Sequence, residues 1–351
     1  MATSMMSFLT SFLLFCIMIS TVRFHGRWTA DADNGVQKIH QGQVPRIGGL
    51  GVMAALFLSC LWLDEGAELG LMLAVILPAF IFGFVEDISK NVTPLWRLLA
   101  CCLTGLAAWV SGISIGIVEI WFIDDLLRHP VMSLVVTIIV VAALANAMNM
   151  VDGLNGLASG YAILASGVFA GLAYFHGDMT LFAINLCFGA VLAGFFVFNW
   201  PFGKIFLGDG GAYLIGSFLA LSAMKLAQSD NGITQAFTLV ILAYPAWEIM
   251  MVMMRRFVKK SPLMLPDDQH LHTQLYRFAH HALPLSWRDH ANALAAILIL
   301  FICAVVMAVC LAVMLSFDLP AGSKFFIALA EFFLYSLVLR YISKRMLSAQ
   351  N

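Results

Sequence analysis

Several short polar stretches interrupt an otherwise apolar chain, and their residue types suit phosphate and metal chemistry. From 146 to 160 the sequence reads NAMNMVDGLNGLASG, with a long apolar run on either side. A chain crossing hydrocarbon gains no stability from Asn146, Asn149, Asp152 and Asn155, so these residues mark a functional site. Their spacing predicts one shared face if the backbone is helical. Asp152 is the only charge in the stretch, the amides are suited to hold it, and the glycines allow close approach of backbone or ligand.

Three further stretches extend the chemistry. Glu86 and Asp87, in GFVEDISK, end an apolar run. There the helix dipole disfavours them and like charge repels; a divalent cation would relieve both costs, and Lys90 part of them. Asp209 lies in FLGDGGAYLIGS, where N–H groups at a helix start favour an anion such as phosphate. The carboxylate would repel that phosphate unless a metal bridged them, the logic of a Mg²⁺–diphosphate site. Phe206, three residues earlier, can stack a planar base. Arg46, in VPRIGG, is a fixed cation at a tight entry into the next apolar run. His270 and His272 point the same way only on an extended segment. Zinc would need three or four ligands, and no cysteine or further partner completes such a set. Histidines and arginines gripping a diphosphate fit this basic loop better, while His280, His281 and His290 read as the polar surface of an amphipathic helix lying on the membrane.

The elements that must position these residues are membrane helices. The 351 residues are 62% hydrophobic and 11% charged, against about 25% charged in soluble domains. Apolar runs lie near 5–23, 48–63, 69–85, 97–118, 131–147, 156–175, 181–198, 212–227, 235–254, 291–316 and 323–340. The sequence therefore predicts an all-α polytopic membrane protein of about eleven transmembrane helices, a single domain over 1–351 with a histidine- and arginine-containing loop at 255–290. The first run reads as a retained span rather than a removed signal peptide. Of the nineteen basic residues, all but Arg128, Lys225 and Lys324 fall on one side of this arrangement. The positive-inside rule then sets the N-terminus outside, in the periplasm, the C-terminus in the cytoplasm, and the polar loops on the cytoplasmic face. The opposite side carries brief acidic connectors. A net charge of −1 gives no nucleic-acid footprint, and seven scattered cysteines suggest neither a disulfide framework nor a thiolate metal site. Glu248 and Glu331 are the acids within spans, and their roles stay open.

Acids, a divalent metal and cationic clamps gathered on one membrane face are the equipment of phosphoryl transfer. The blocks VPRIGG, GFVEDISK, NAMNMVDGLNGLASG, FLGDGGAYLIGS and PDDQHLHTQLYRF, in that order from about 40 to 280, resemble the polyprenyl-phosphate N-acetylhexosamine-1-phosphate transferase family. That family includes the enzymes that start O-antigen, enterobacterial common antigen and peptidoglycan lipid synthesis. The resemblance implies a multi-pass protein of the bacterial inner membrane that moves a sugar-1-phosphate from a UDP-sugar to undecaprenyl phosphate, releases UMP and requires Mg²⁺, with Mn²⁺ as a substitute. It implies metal ligation by Asp209 and Asp152, catalytic roles for Asp87, Glu86, Asp152, His270 and His272, and substrate binding by Asn146, Asn149, Asn155, Phe206, Arg46 and Lys90. The partners implied are the lipid phosphate, the UDP-N-acetyl sugar and membrane lipid, with a homodimer allowed and no nucleic acid.

Two departures from the family pattern stand out. Glu86 replaces the usual first aspartate of its pair, which makes Asp87 the preferred active member. Thr273 replaces a further histidine found in many relatives. The expected donor is UDP-GlcNAc or a 6-deoxy sugar such as UDP-FucNAc or UDP-QuiNAc, for O-antigen initiation; a muramoyl-pentapeptide donor is the alternative within the family. A lipid-linked sugar flippase is the alternative outside it, but its polar residues belong near the midplane of two related halves.

Overall fold

The computed structural model describes residues 2–29, 44–229, 233–260, 269–317 and 322–350. Of the features read from the sequence, the basic residue Lys38, the acidic-connector residues Asp230 and Asp318, and residues 261–268 of the 255–290 loop lie outside the described residues. The regular elements are helices: α1 (Ala2–Ser20), α2 (Val22–Thr29), α3 (Gly48–Ser59), α4 (Gly66–Ser89), α5 (Pro94–Val110), α6 (Trp121–Leu127), α7 (Pro130–Val151) and α8 (Leu157–Phe175). They continue as α9 (Met179–Asn199), α10 (Gly208–Gln228), α11 (Gln235–Ile241), α12 (Ala243–Lys259), α13 (Leu271–Ala282), α14 (Ala291–Ser316) and α15 (Ser323–Gln350).

Among the described residues, eight helices are long and apolar enough to cross a membrane, or nine if α11 and α12 form one broken span. The chain is thus an all-α, multi-pass inner-membrane protein. Two of the eleven predicted runs form shorter helices, α3 with 12 residues and α5 with 17. At 1.5 Å per residue α3 covers about 18 Å, less than the roughly 30 Å hydrocarbon core. The run predicted over 97–118 ends its helix at Val110, where the chain turns through Gly112 at φ +81°.

The run predicted as continuous over 235–254 is broken at Leu242, with 87° between α11 and α12. Pro245 explains the break: it has no N–H to give the Ile241 carbonyl, the acceptor four residues back. The Tyr161 hydroxyl donates to that carbonyl instead, at 2.7 Å.

Helix α10 occupies the centre. Nearly all of it is buried, whereas α1 is mostly exposed, and α3, α4, α7 and α8 pack around it. Small residues allow that approach. A Cβ on Gly83 of α4 would lie 2.6 Å from the Gly210 nitrogen, and one on Gly49 of α3 would overlap Gly211. The start of α10 is thereby brought against the start of α3 and the ends of α4 and α7, which carry the polar residues.

Candidate active site

Helix α10 begins at Gly208, so Asp209 lies in its first turn. Gly208 enters the helix at φ +78°, a left-handed conformation that only glycine adopts freely. The incoming strand of chain is fastened to the first loop. Phe206 N–H donates to the Pro45 carbonyl (2.9 Å), Gly48 N–H to the Phe206 carbonyl (2.9 Å) and Gly49 N–H to the Leu207 carbonyl (2.8 Å). These bonds fix Arg46 beside Asp209.

From the last turn of α4, Asp87 reaches the N-terminus of α10. Its Oδ1 accepts the Asp209 N–H at 2.8 Å and its Oδ2 the Gly210 N–H at 3.0 Å. It is 2% exposed. The first N–H groups of a helix have no partner within it, and an anion there also meets the favourable end of the dipole. Glu86 turns the other way and accepts the Val92 N–H at 2.8 Å. The two acids of the pair therefore meet backbone donors in two different places. Lys90 ends α4 as an exposed residue at φ 57°.

The Asp209 carboxylate collects donors from three segments. Arg46 Nη2 lies 3.1 Å from Oδ1, and Asn149 Nδ2 donates to the same oxygen at 3.0 Å. Arg97 of α5 forms an ion pair with Oδ2 through Nη1. Arg46 Nη2 is also 3.6 Å from Asp87. The Nε of Arg97 is buried with no acceptor among the described residues. In the sequence Arg97 is one of the basic residues on the side of the polar loops. Its position early in a membrane helix, ten residues after the acid pair, was the signal available in the sequence.

The polar face predicted for 146–155 is real only in part. Helix α7 ends at Val151, and Asp152 is its C-cap at ψ 44°. Asn149 reaches Asp209, whereas Asn146 donates back to the Ala142 carbonyl at 2.8 Å. Asn155 lies beyond the helix and does not share the face. Its N–H donates to Asn292 Oδ1 (2.8 Å) and its Nδ2 to the Pro201 carbonyl (3.2 Å), tying the turn to α14 and to the loop before α10. The chain turn at 152–156 displaces it. The Asp152 carboxylate accepts no hydrogen bond from the described residues, and the field around it links it to Arg46, Asp209 and Asp87. Enclosure holds its carboxyl well above the usual carboxylate range; Arg46 opposes that shift, and Asp209 and Asp87 add to it.

His270 and His272 do face the same way, although His272 belongs to a helix. His270 is the extended N-cap of α13, at φ −69° and ψ 148°. The two rings stack at 5.1 Å and 7°. His272 Nε2 lies against Gly153, where an added Cβ would overlap it, so the histidine segment abuts the residue after Asp152. Glu248, fully buried on α12, accepts from His270 Nδ1 at 2.9 Å and from Leu271 N–H at 3.0 Å. His281 and His290 are exposed, and Glu331 is buried on α15 beside Cys310.

Burial pushes His272 down to about 4 from an ordinary value of 6.5, with Glu248 opposing and His270 adding to the shift. Between those two values the unfolded chain takes up a proton that the folded chain refuses, so stability falls as pH drops through that window. His272→Asn is expected to lose less melting temperature than the wild type between about pH 7 and about pH 5. An equal loss in both proteins would contradict a neutral, buried His272.

No group of three or more His, Cys, Asp or Glu side chains poised around a metal ion occurs among the described residues. Mg²⁺ does not require such a cage: it is commonly held by one or two carboxylates together with substrate phosphate oxygens. The unpartnered Asp152 carboxylate and the neighbouring Asp209 are hard oxygen donors of that kind, and they fit.

Residues 69–227 match the family model described as glycosyl transferase family 4. The chain is 28% identical over 255 residues to a probable undecaprenyl-phosphate N-acetylglucosaminyl 1-phosphate transferase of Bacillus subtilis, covering 69% of this chain and 68% of that protein. It is 27% identical over 236 residues to an undecaprenyl-phosphate alpha-N-acetylglucosaminyl 1-phosphate transferase of Thermotoga maritima, covering 67% and 69%. It is 29% identical over 287 residues to a decaprenyl-phosphate N-acetylglucosaminephosphotransferase of Mycolicibacterium smegmatis, covering 69% and 67%.

Proposed function

We propose that this chain, which matches the glycosyl transferase family 4 model over residues 69–227, transfers a sugar-1-phosphate from a UDP-N-acetylhexosamine to undecaprenyl phosphate and releases UMP. The observation that carries the reading is the convergence of Arg46, Arg97, Asn149 and Asp87 on the first turn of α10 around Asp209. Two guanidinium groups held by one carboxylate are a reserve of positive charge that a diphosphate can claim. The spare Nε–H of Arg97 is a further donor for an oxyanion.

In the proposed reaction an oxygen of the lipid phosphate attacks the donor's β-phosphorus. The bond from that phosphorus to the bridging oxygen breaks, and UMP carries the bridging oxygen away. A lipid phosphate is already an oxyanion, so positioning and charge neutralisation matter more than a protein nucleophile. Asp209 and Asp152 would hold Mg²⁺. Held there, such an ion would supply charge neutralisation to the diphosphate. Asp87, with both oxygens on backbone N–H groups, acts by positioning Asp209. Phe206 offers a ring to the uracil. His272, beside the turn after Asp152, binds a phosphate oxygen, and His270 faces the substrate with its Nε2.

The acceptor's isoprenoid chain has a place as well. An apolar cavity of about 360 Å³ lies between α7, α10 and the broken α11–α12 pair, lined by Val140, Leu144, Ala220, Met224, Leu242 and Trp247. Leu144 is five residues from Asn149 on the same helix, so an apolar tail lying there would end near the carboxylates.

The proposed donor is UDP-GlcNAc or a 6-deoxy HexNAc such as UDP-FucNAc or UDP-QuiNAc, for O-antigen or related lipid-linked glycan initiation on the cytoplasmic face. The names of the three relatives given above support GlcNAc. Purified protein given undecaprenyl phosphate, Mg²⁺ and one UDP-N-acetyl sugar at a time is expected to release UMP with one of them. A flippase would give no nucleotide product with any.

A further inference from the structure

Glu248 stands on the first turns of α12, just past the break at Leu242. Isolated, a carboxylate this deeply buried costs several kcal/mol, by an order-of-magnitude estimate. Each of its oxygens has its own donor: Oε1 the Leu271 N–H at 3.0 Å, Oε2 the Nδ1 of His270 at 2.9 Å. The Leu271 N–H is one of the unpaired donors at the start of α13 and cannot change its polarity. The imidazole can, because which ring nitrogen carries the proton is set by the bond the other partner demands. An ionised carboxylate only accepts, so the proton must sit on Nδ1.

We propose that Glu248 is a positioning residue for the transfer reaction: it pins the start of α13 and fixes His270 in the Nδ1–H tautomer, leaving Nε2 as the ring nitrogen available to a substrate. The stacked ring of His272, 5.1 Å away and lying against Gly153, carries the same restraint to the turn that holds Asp152. Glu248 itself touches no reacting atom. The catalytic part of the proposal rests on the transferase reading above, whereas the tautomer does not.

The test is Glu248→Gln with ¹⁵N-histidine NMR and UMP release measured on the full-length protein, the His270 signal being assigned with His270→Asn. The amide has one acceptor and one donor end. Its oxygen must face the Leu271 N–H, since the opposite orientation would set two donors against each other, so its NH₂ meets His270 Nδ1 and drives the proton to Nε2. The wild type is expected to show His270 protonated on Nδ1, and the variant protonated on Nε2. Turnover in the variant should fall about 10–100-fold, the usual effect of losing a partner that orients a histidine, with KM for the donor changed far less. A wild-type His270 protonated on Nε2 alone overturns the proposal even if the variant does not fold. Inversion of the tautomer with unchanged turnover overturns the catalytic part. Wild-type protein that releases no UMP from any donor, yet shows the Nδ1 proton, rejects the transferase reading and leaves the tautomer assignment standing.

Discussion

Asp209→Asn is expected to lower UMP release by about 10²–10³-fold, the scale seen when one preorganised electrostatic contact is removed from a transition state. Its carboxylate is the meeting point of Arg46, Arg97 and Asn149, and the proposed ligand for Mg²⁺. The substitution should also split binding from turnover. In the wild type the carboxylate competes with a diphosphate for both arginines. Without that charge, UDP in the absence of Mg²⁺ should bind the variant at least as tightly as the wild type, although turnover is lost. Calorimetric titration of UDP, with and without Mg²⁺, reads both effects. Wild-type turnover in the variant at the same Mg²⁺ concentration would remove Asp209 from the metal site. Much weaker metal-free UDP binding would show that the arginines depend on the carboxylate for their placement.

Asp87→Asn is expected to be nearly as damaging, for a different reason. Two backbone N–H groups at the start of α10 share this one carboxylate. The amide can accept from one of them and must turn its own NH₂ toward the other. A buried donor left unsatisfied costs about 1–3 kcal/mol, and the displaced turn is the one that carries Asp209. Turnover should fall at least about 10²-fold, with a clear drop in melting temperature. Asp87→Glu should not restore activity: the carboxylate lies between Gly208, where even a Cβ would come within 2.5 Å of it, and Arg46. The neighbouring Glu86→Gln is the contrast. Its amide oxygen can still accept the Val92 N–H, so turnover should stay within about tenfold of wild type. Equal losses at the two positions, with no change in melting temperature, would favour a direct chemical role for both acids.

The sequence made some of this legible. Polar residues are so costly among apolar helices that Asp87, Asp152 and Asp209 stand out without any structure, and their positions at the ends of apolar runs suggest a common surface. Periodicity failed where the backbone stops being periodic. Asn155 keeps the three-residue spacing of Asn146, Asn149 and Asp152, yet the helix ends at Val151 and the turn sends its side chain to the Pro201 carbonyl. The break at Leu242 was hidden because Pro245 is compatible with the first turn of a helix as well as with the middle of a kinked one; the Tyr161 hydroxyl, distant in sequence, decides between them. Arg97 was invisible as a site residue for a similar reason. Its partner Asp209 is brought to it only by the packing of α5 and α10 in the bundle. Glu248 could be marked as an intramembrane acid, but its link to His270 spans a connection that no local pattern encodes.

Which bond breaks is read from a donor labelled in its β-phosphate. Purified protein is incubated with undecaprenyl phosphate, Mg²⁺ and β-³²P-labelled UDP-N-acetylhexosamine, and the label is followed between organic and aqueous phases. Label is expected in the organic phase, attached to the lipid with the sugar, and unlabelled UMP in the water in equal amount. Labelled UDP in the water with unlabelled phosphate-linked sugar on the lipid would mean that the sugar moves without its phosphate, and would rule out transfer of a sugar-1-phosphate.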